Sequence, residues 1–141
     1  MKYKMVWEVF DAVRKARTKD AKVAVLKAND CAAIRDYSRC FYDDRIEFAL
    51  PKGEAPPYEA NDPHTAPTNF MRKNTQLKYF VKGIRECEQL KPFKREALFI
   101  QLLEGIHPRD AELFIDMINK KLPRRVGKEV VAEAFPGLLP E

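Results

Sequence analysis

Basic residues concentrate near the end of the chain in a pattern that suits the binding of an anion. Five of the nine residues from 120 to 128 are basic: Lys120, Lys121, Arg124, Arg125 and Lys128. Gly127 lies among them, at the expected junction between one helix and the start of the next. Such a junction can present cationic side chains, backbone N–H groups and the positive end of a helix dipole to one run of phosphates. Arginine adds bidentate contacts to phosphate oxygens.

The two lysines of this segment have a second interpretation. Lys120 and Lys121 fall at the end of a predicted helix, where cations satisfy the helix dipole without any ligand, so both roles fit the sequence. Arg124, Arg125 and Lys128 lie near a helix start, where the dipole disfavours cations. Anion binding is therefore the better explanation for these three residues.

A second basic cluster lies at an earlier junction between helices. It comprises Arg14, Lys15, Arg17 and Lys19. Together the two clusters could straddle one phosphate backbone.

The net charge of +5 divides into +5 over residues 1–42, −4 over residues 43–68 and +4 over residues 69–141. Two basic parts thus flank an acidic segment, which would repel DNA if it folded across them.

Other reactive side chains form no recognisable catalytic or metal-binding motif. His64 and His107 have no second His or Cys at ligand spacing, and His107 precedes a predicted helix, where it suits capping. Asp43, Asp44 and Glu47 could coordinate a divalent cation, but a solvated acidic loop explains them better on composition.

The cysteines and the missing motifs argue against catalysis. Cys31, Cys40 and Cys87 are odd in number and have no paired short spacing, so we expect reduced thiols rather than disulfides or a zinc site. No phosphate-binding Gly-rich loop, nucleophile elbow or supported Cys/His pair occurs. The sequence therefore predicts no enzyme, no cofactor and no metal.

Three helices are predicted before the acidic segment. Apolar residues recur at helical spacing through residues 6–13, 21–28 and 31–41. Thr18 offers an N-cap oxygen and Asp20 a first-turn negative charge to the second helix.

Residues 43–68 interrupt the helical pattern. Five of the ten prolines fall in this segment: Pro51, Pro56, Pro57, Pro63 and Pro67. Because proline removes a backbone donor and fixes φ, no long helix can cross it. We expect a Pro-rich acidic loop there, with a short strand or hairpin arm near residues 46–52.

The second half of the chain is predicted to be helical again. Candidate helices cover residues 70–81, 92–105, 108–122 and 128–135. The helix at 92–105 is apolar nearly all round, so we expect it to be central and buried. The predicted core contains Trp7, Phe10, Ile34, Phe41, Leu98, Ile100, Leu103, Phe114, Ile118 and Phe135. The fold class is all-α, with six or seven helices in one domain over residues 1–141.

Length and composition support this class. A chain of 141 residues fits one domain, and 45% hydrophobic with 33% charged residues exclude general disorder. No apolar stretch is long enough for a membrane span, and the N-terminus lacks the apolar core of a signal peptide. We expect a cytoplasmic protein without membrane association.

The end of the chain resembles that of a known DNA-binding domain. Residues 120–122, Val130, Val131 and the terminal Ala-Phe-Pro-Gly-Leu-Leu-Pro-Glu at 134–141 resemble the close of the N-terminal helical domain of ATP-dependent DNA ligases, especially the T-even phage type. There, a short helix that ends in aromatic-Pro-Gly-Leu follows a small-residue loop. The order of elements is also similar: an amphipathic helix, a Thr-Lys helix start, a helix carrying Tyr37 to Tyr42, and an extended Pro/Lys-rich segment.

The resemblance and the basic clusters together imply sequence-independent binding of duplex DNA through the phosphates flanking the minor groove. One side of the grip would be Arg14, Lys15, Arg17 and Lys19, and the other Lys120, Lys121, Arg124, Arg125, Gly127 and Lys128. Where ligases carry Gly, a small apolar residue and Ser, this chain has Arg125, Val126 and Gly127. An added cation thus replaces a close approach of the backbone to DNA.

The chain lacks the catalytic part of a ligase. It ends just after Pro-Gly-Leu and contains no Lys-x-Asp-Gly motif for an adenylated lysine. We therefore expect a stand-alone, non-catalytic relative, encoded by a phage and acting in the host cytoplasm in DNA replication, repair or recombination. The alternative is a protein-interaction adaptor with the same fold, which would bind a sliding clamp, a polymerase or a host factor instead of DNA.

Overall fold

The computed structural model describes residues 2–64, 66 and 68–140; Thr65 and Pro67 of the acidic segment, and both terminal residues, lie outside this part. The described chain is a single all-α domain, which confirms the predicted fold class. Its helices are α1 (Val6–Lys15), α2 (Lys19–Ala28), α3 (Ala32–Tyr42), a 3₁₀ helix (Phe70–Tyr79), α4 (Arg85–Gln89), α5 (Pro92–Gly105), α6 (Pro108–Ile118) and α7 (Lys128–Ala134). None of these helices has the length and apolar character needed to cross a lipid bilayer.

The first three helices form where the apolar spacing predicts them. Thr18 Oγ1 accepts a hydrogen bond from the Ala21 backbone N–H at 3.1 Å, so Thr18 caps α2 as expected. α2 packs against both α1 and α7. The N-terminal helices α1 and α2 and the C-terminal helix α7 therefore belong to one packed group.

The centre of the core is α6. Phe114 of α6 is fully buried. Its ring contacts four other phenylalanine rings, with centroids 5.4 to 6.1 Å away: Phe48, Phe70, Phe80 and Phe99. These rings come from the acidic segment, from the 3₁₀ helix and the residue that follows it, from α5 and from α6. One aromatic cluster therefore joins elements that are distant in sequence.

The prediction that residues 92–105 form the central, buried helix is wrong. α5 packs mainly on α6 and buries one face, while Phe93 on its outer side is 66% exposed. An apolar run shows that a helix can be buried on all sides, but the number of neighbouring elements decides whether it is. Of the predicted core residues, three are only half-buried: Trp7, Leu98 and Ile100. The other seven are buried.

The predicted strand or hairpin arm at residues 46–52 does not form. The segment makes a single isolated antiparallel bridge, between Phe48 and Val81. Phe48 and Leu50 are buried. Because burial of these two side chains is favourable, the segment lies along the body of the domain and does not project from it.

The predicted helix at residues 70–81 is a 3₁₀ helix that ends at Tyr79, and the short α4 follows it without having been predicted. Apolar spacing does not distinguish three from 3.6 residues per turn over so short a stretch. Tyr37 of α3 holds the start of the 3₁₀ helix. Its hydroxyl donates to the Phe70 carbonyl oxygen at 2.6 Å, and the two rings stack with centroids 4.2 Å apart.

Candidate nucleic-acid interface

The two basic clusters lie next to each other in the structure. Lys22 Nζ of α2 donates a hydrogen bond to the Arg125 carbonyl oxygen at 2.5 Å. Arg14 and Arg124 line the same groove between α1 and α6. The α1–α2 and α6–α7 junctions therefore form one surface, which we call the basic face. It comprises Arg14, Lys15, Arg17, Lys19, Lys121, Arg124, Arg125 and Lys128.

The loop between α6 and α7 is held in place from two sides. Besides the bond from Lys22, the Tyr42 hydroxyl of α3 donates to the Val126 carbonyl oxygen at 2.6 Å. Burial raises the pKa of Tyr42, so its hydroxyl keeps the proton that it donates. Val126 itself is buried. The loop therefore presents its arginines from a fixed backbone.

Lys120 does not belong to the basic face. Its Nζ donates to the Cys40 carbonyl oxygen and, at 3.1 Å, to the Asp43 carbonyl oxygen. Both carbonyls lie at the end of α3, where the helix dipole favours a cation. The Asp43 carbonyl oxygen also accepts a hydrogen bond from the Ile46 backbone N–H at 3.1 Å. Lys120 is therefore the predicted DNA contact whose ammonium is already bound within the fold.

We expect Lys120→Met to lower the free energy of unfolding by about 1–3 kcal/mol, because the partly buried Cys40 carbonyl loses its donor and the Asp43 carbonyl keeps only the bond from the Ile46 backbone N–H. Lys121→Met is the matched control: it removes the same charge one residue later, from an exposed side chain, and should change stability by less than about 0.5 kcal/mol. Urea unfolding of both variants measures the difference. Equal stability of the two variants would contradict the capping role of Lys120.

Three cations of the basic face have acidic partners. Asp11 lies 2.7 Å from Arg14 and 3.0 Å from Lys15. The hydrogen bond from Arg14 is the main reason why the pKa of Asp11 is lowered. Lys19 Nζ lies 3.8 Å from Glu133 Oε1. Lys15, Lys19 and Glu133 are exposed and Arg14 is partly exposed. Surface pairs of this kind contribute at most about 1 kcal/mol, so a phosphate can compete for these cations.

The other five cations of the basic face are exposed and have no ion-pair partner among the residues that the structure describes: Arg17, Lys121, Arg124, Arg125 and Lys128. Arg125 has a φ of +61°, a conformation that non-glycine residues seldom adopt. The bond from Lys22 to its carbonyl oxygen holds it there. The uncompensated positive charge of the face thus lies on these five side chains.

Gly127 lies beside an acidic side chain at the start of α7. It is the N-cap of α7, with a φ of −76°. A β-carbon at Gly127 would collide with the carboxylate of Glu129, which therefore lies beside the first turn of α7. A negative charge beside the first turn opposes the approach of a phosphate to this helix N-terminus.

One cation of this region was not found from the sequence. Arg109, at the start of α6, lies over the Trp7 ring, with its guanidinium carbon 4.2 Å from the ring centroid. It lines the groove that Arg14 and Arg124 share. Three carboxylates line the same groove, those of Asp11, Glu112 and Asp116. The groove is thus balanced in charge. No local pattern could reveal it, because α1 and α6 are far apart in the sequence.

The acidic segment is fastened to α5 and to the end of α6. Gly53 and Asn119 exchange two hydrogen bonds, of 2.7 and 3.0 Å. Asn61 Nδ2 donates to the Glu104 carbonyl oxygen at 2.8 Å. Among the described residues, no hydrogen bond or ion pair joins the 43–68 segment to α1, α2 or α7.

The other candidate groups are also placed by the structure. The Asp43 carboxylate is bound by Arg45 at 3.0 Å, which lowers the pKa of Asp43. No group of three or more His, Cys, Asp or Glu in the described part is arranged to hold a metal ion. The three cysteines are free, Cys31 exposed and Cys40 and Cys87 buried.

The two histidines, distant in the sequence, line one cleft together with Asp110. His107 caps α6 as predicted: its Nδ1 accepts a hydrogen bond from the Arg109 backbone N–H at 3.0 Å. Because His64 and His107 lie 43 positions apart, no sequence spacing relates the two. Only the tertiary structure brings them together.

These features define a class: a small all-helical domain whose N- and C-terminal interhelical junctions join into one basic face. The chain belongs to DUF6433, a family of unknown function, whose model matches residues 9–124. No curated protein and no solved structure matches the chain.

Proposed function

We propose that this protein is a non-catalytic DNA-binding protein that grips duplex DNA through its phosphate backbone. The observation that carries the proposal is the set of five exposed cations without ion-pair partners on the basic face. They lie on two adjacent junctions, one of which is fixed to the body of the domain. Such an arrangement suits a run of evenly spaced phosphates.

Two further features support duplex DNA without sequence preference. The five cations lie at the junctions between helices and do not form a row along one helix face, which is the arrangement that reads base edges in the major groove. The resemblance of the chain's end to the ligase DNA-binding domain favours contacts that flank the minor groove. On that resemblance we also propose a role as a phage accessory protein in DNA replication, repair or recombination.

The test is a salt titration of DNA affinity, measured by fluorescence anisotropy on one duplex, intact and with a single nick. If five phosphates are contacted, the logarithm of the binding constant should fall with the logarithm of salt concentration at a slope of about −4 to −5. A tighter affinity for the nicked duplex would extend the likeness to ligases. Undetectable binding to both duplexes at low salt would overturn the proposal.

A charge-matched pair of variants locates the interface. Arg124→Gln with Arg125→Gln should weaken binding to all sequences alike and flatten the slope by about 2. Arg85→Gln with Lys94→Gln removes the same charge from exposed positions outside the basic face and should leave the slope unchanged. Equal effects of the two variants would show that DNA responds only to net charge.

A protein-interaction adaptor is the second candidate function. It is favoured by exposed large apolar side chains, since Phe93 is 66% and Leu122 is 48% exposed, and such groups are enriched where proteins associate. The salt titration separates the two candidates, because an adaptor without DNA affinity gives no binding at low salt.

A further inference from the structure

A cleft of about 520 Å³ opens where the N-terminus of α1 meets the 3₁₀ helix and the start of α6. Five of the side chains that line it can carry charge or exchange a proton: His64, Arg72, Lys73, His107 and Asp110. No residue of the basic face lines this cleft. Its volume is within the range of small-molecule sites in proteins.

Asp110 forms the buried end of the cleft. It is 1% exposed, and its Oδ1 accepts a hydrogen bond from the Trp7 backbone N–H at 2.8 Å. Its second oxygen has no partner among the residues that the structure describes. Burial raises the pKa of Asp110 to about 7. A large fraction of the molecules therefore carry a proton on this carboxyl at neutral pH, and that proton can be donated.

His107 also lines the cleft and carries a proton. Its Nδ1 accepts the hydrogen bond from the Arg109 backbone N–H, so the proton of the neutral ring is on Nε2. Its ring lies beside that of Trp7, with centroids 5.4 Å apart, which restricts its movement. Burial lowers the pKa of His107 and keeps the ring neutral at physiological pH.

Arg72 and Lys73 supply the positive charge. They are consecutive residues of the 3₁₀ helix and both line the cleft. A guanidinium, an ammonium and two imidazoles offer more N–H groups than the two oxygens of a carboxylate can accept. A phosphomonoester has three terminal oxygens and a charge close to −2 at neutral pH, which matches this set of donors and cations.

We propose that this cleft binds the terminal phosphate of a phosphomonoester. Two sources share this chemistry, a free nucleotide and the 5′-phosphate at the end of a DNA strand. The proposal goes beyond the grip on the duplex backbone and does not depend on it, because the two surfaces have no residue in common.

Isothermal titration calorimetry with thymidine 5′-monophosphate and with thymidine tests the free-nucleotide source. The monophosphate should bind at least about tenfold more tightly than the nucleoside. Arg72→Gln with Lys73→Gln should remove that difference. The control Arg85→Gln with Lys94→Gln should leave it within about twofold, since these exposed side chains do not line the cleft.

A hairpin duplex with one 5′ end, prepared with and without its phosphate, tests the strand-end source. If the cleft binds DNA ends, the phosphate should raise the affinity for the hairpin by about fivefold or more. This gain should be lost in Arg72→Gln with Lys73→Gln and kept in Arg124→Gln with Arg125→Gln. Monophosphate binding without any gain on the hairpin assigns the cleft to free nucleotides. If neither phosphate improves binding, or if the cleft variant and its control behave alike, the proposal is wrong. Failure of the duplex salt titration leaves the nucleotide experiment unaffected, so the two proposals fail separately.

Discussion

Replacement of Phe114 by alanine is expected to lower the free energy of unfolding by about 3–5 kcal/mol. Phe114 is fully buried, and its ring contacts the rings of four other phenylalanines. Removal of the ring leaves a cavity at the point where α5, α6, the 3₁₀ helix and the acidic segment meet. Because those elements are held by their own contacts, they cannot close fully around the smaller side chain.

The matched control is Phe93→Ala, the same substitution on the outer side of α5. Phe93 is 66% exposed, so we expect a change within about 0.5 kcal/mol. Urea unfolding of both variants at one temperature gives the comparison. If Phe93→Ala proved as costly as Phe114→Ala, α5 and not α6 would be the central helix, as the sequence alone predicts.

The second large effect is the pH dependence of Asp110→Asn. In the unfolded chain the Asp110 carboxyl titrates near 3.8, and burial raises its pKa in the folded protein to about 7. Between these values the folded state holds a proton that the unfolded state has lost. The stability that Asp110 contributes is therefore complete below pH 4 and is lost as the pH rises through 7.

Asparagine does not ionise, so the variant does not lose stability in this way, and its side-chain oxygen can still accept the hydrogen bond from the Trp7 backbone N–H. From pH 5 to pH 8, the stability of Asp110→Asn relative to the wild type should increase by about 2–3 kcal/mol. The charged groups near the Asp110 carboxyl are Glu8 on α1 and the side chains of the cleft. The negative charge of Glu8 also raises the pKa of Asp110.

Urea unfolding at several pH values, with Asp44→Asn as the exposed counterpart, measures the effect. Comparison with the wild type at each pH cancels the titration of Asp11, Asp30 and Asp43, whose pKa values are lowered by arginine partners. A stability difference that stays constant from pH 5 to pH 8 would contradict the buried, protonated state of Asp110.

Local features of the fold were predictable because their causes are local. Helical spacing of apolar residues located α1, α2 and α3, and the hydroxyl of Thr18 located the start of α2. His107 was expected to cap α6 and does so. Each of these depends on residues within a few positions of each other, so the sequence contains the information that decides them.

Features that depend on partners from distant segments were not predictable in the same way. Lys120 and Lys121 are adjacent and chemically identical, yet one binds the end of α3 and the other faces solvent. The apolar run of α5 suggested a central helix, but α6 is the one surrounded by aromatic rings. In both cases the number and position of neighbouring elements decide the outcome, and side-chain type alone does not.

The sequence by itself determined that this protein is a single all-helical domain with basic residues at two interhelical junctions. Helix periodicity, capping and local charge each depend on residues only a few positions apart in the chain. Only the tertiary structure decided that α2 packs on α7, so that the two junctions meet in one basic face. Only the tertiary structure also brought His64, His107 and Asp110 around one cleft. The physical reason is the same for both sites: they are made of side chains from segments far apart in the chain, which become neighbours only when burial of the shared apolar core brings the helices together.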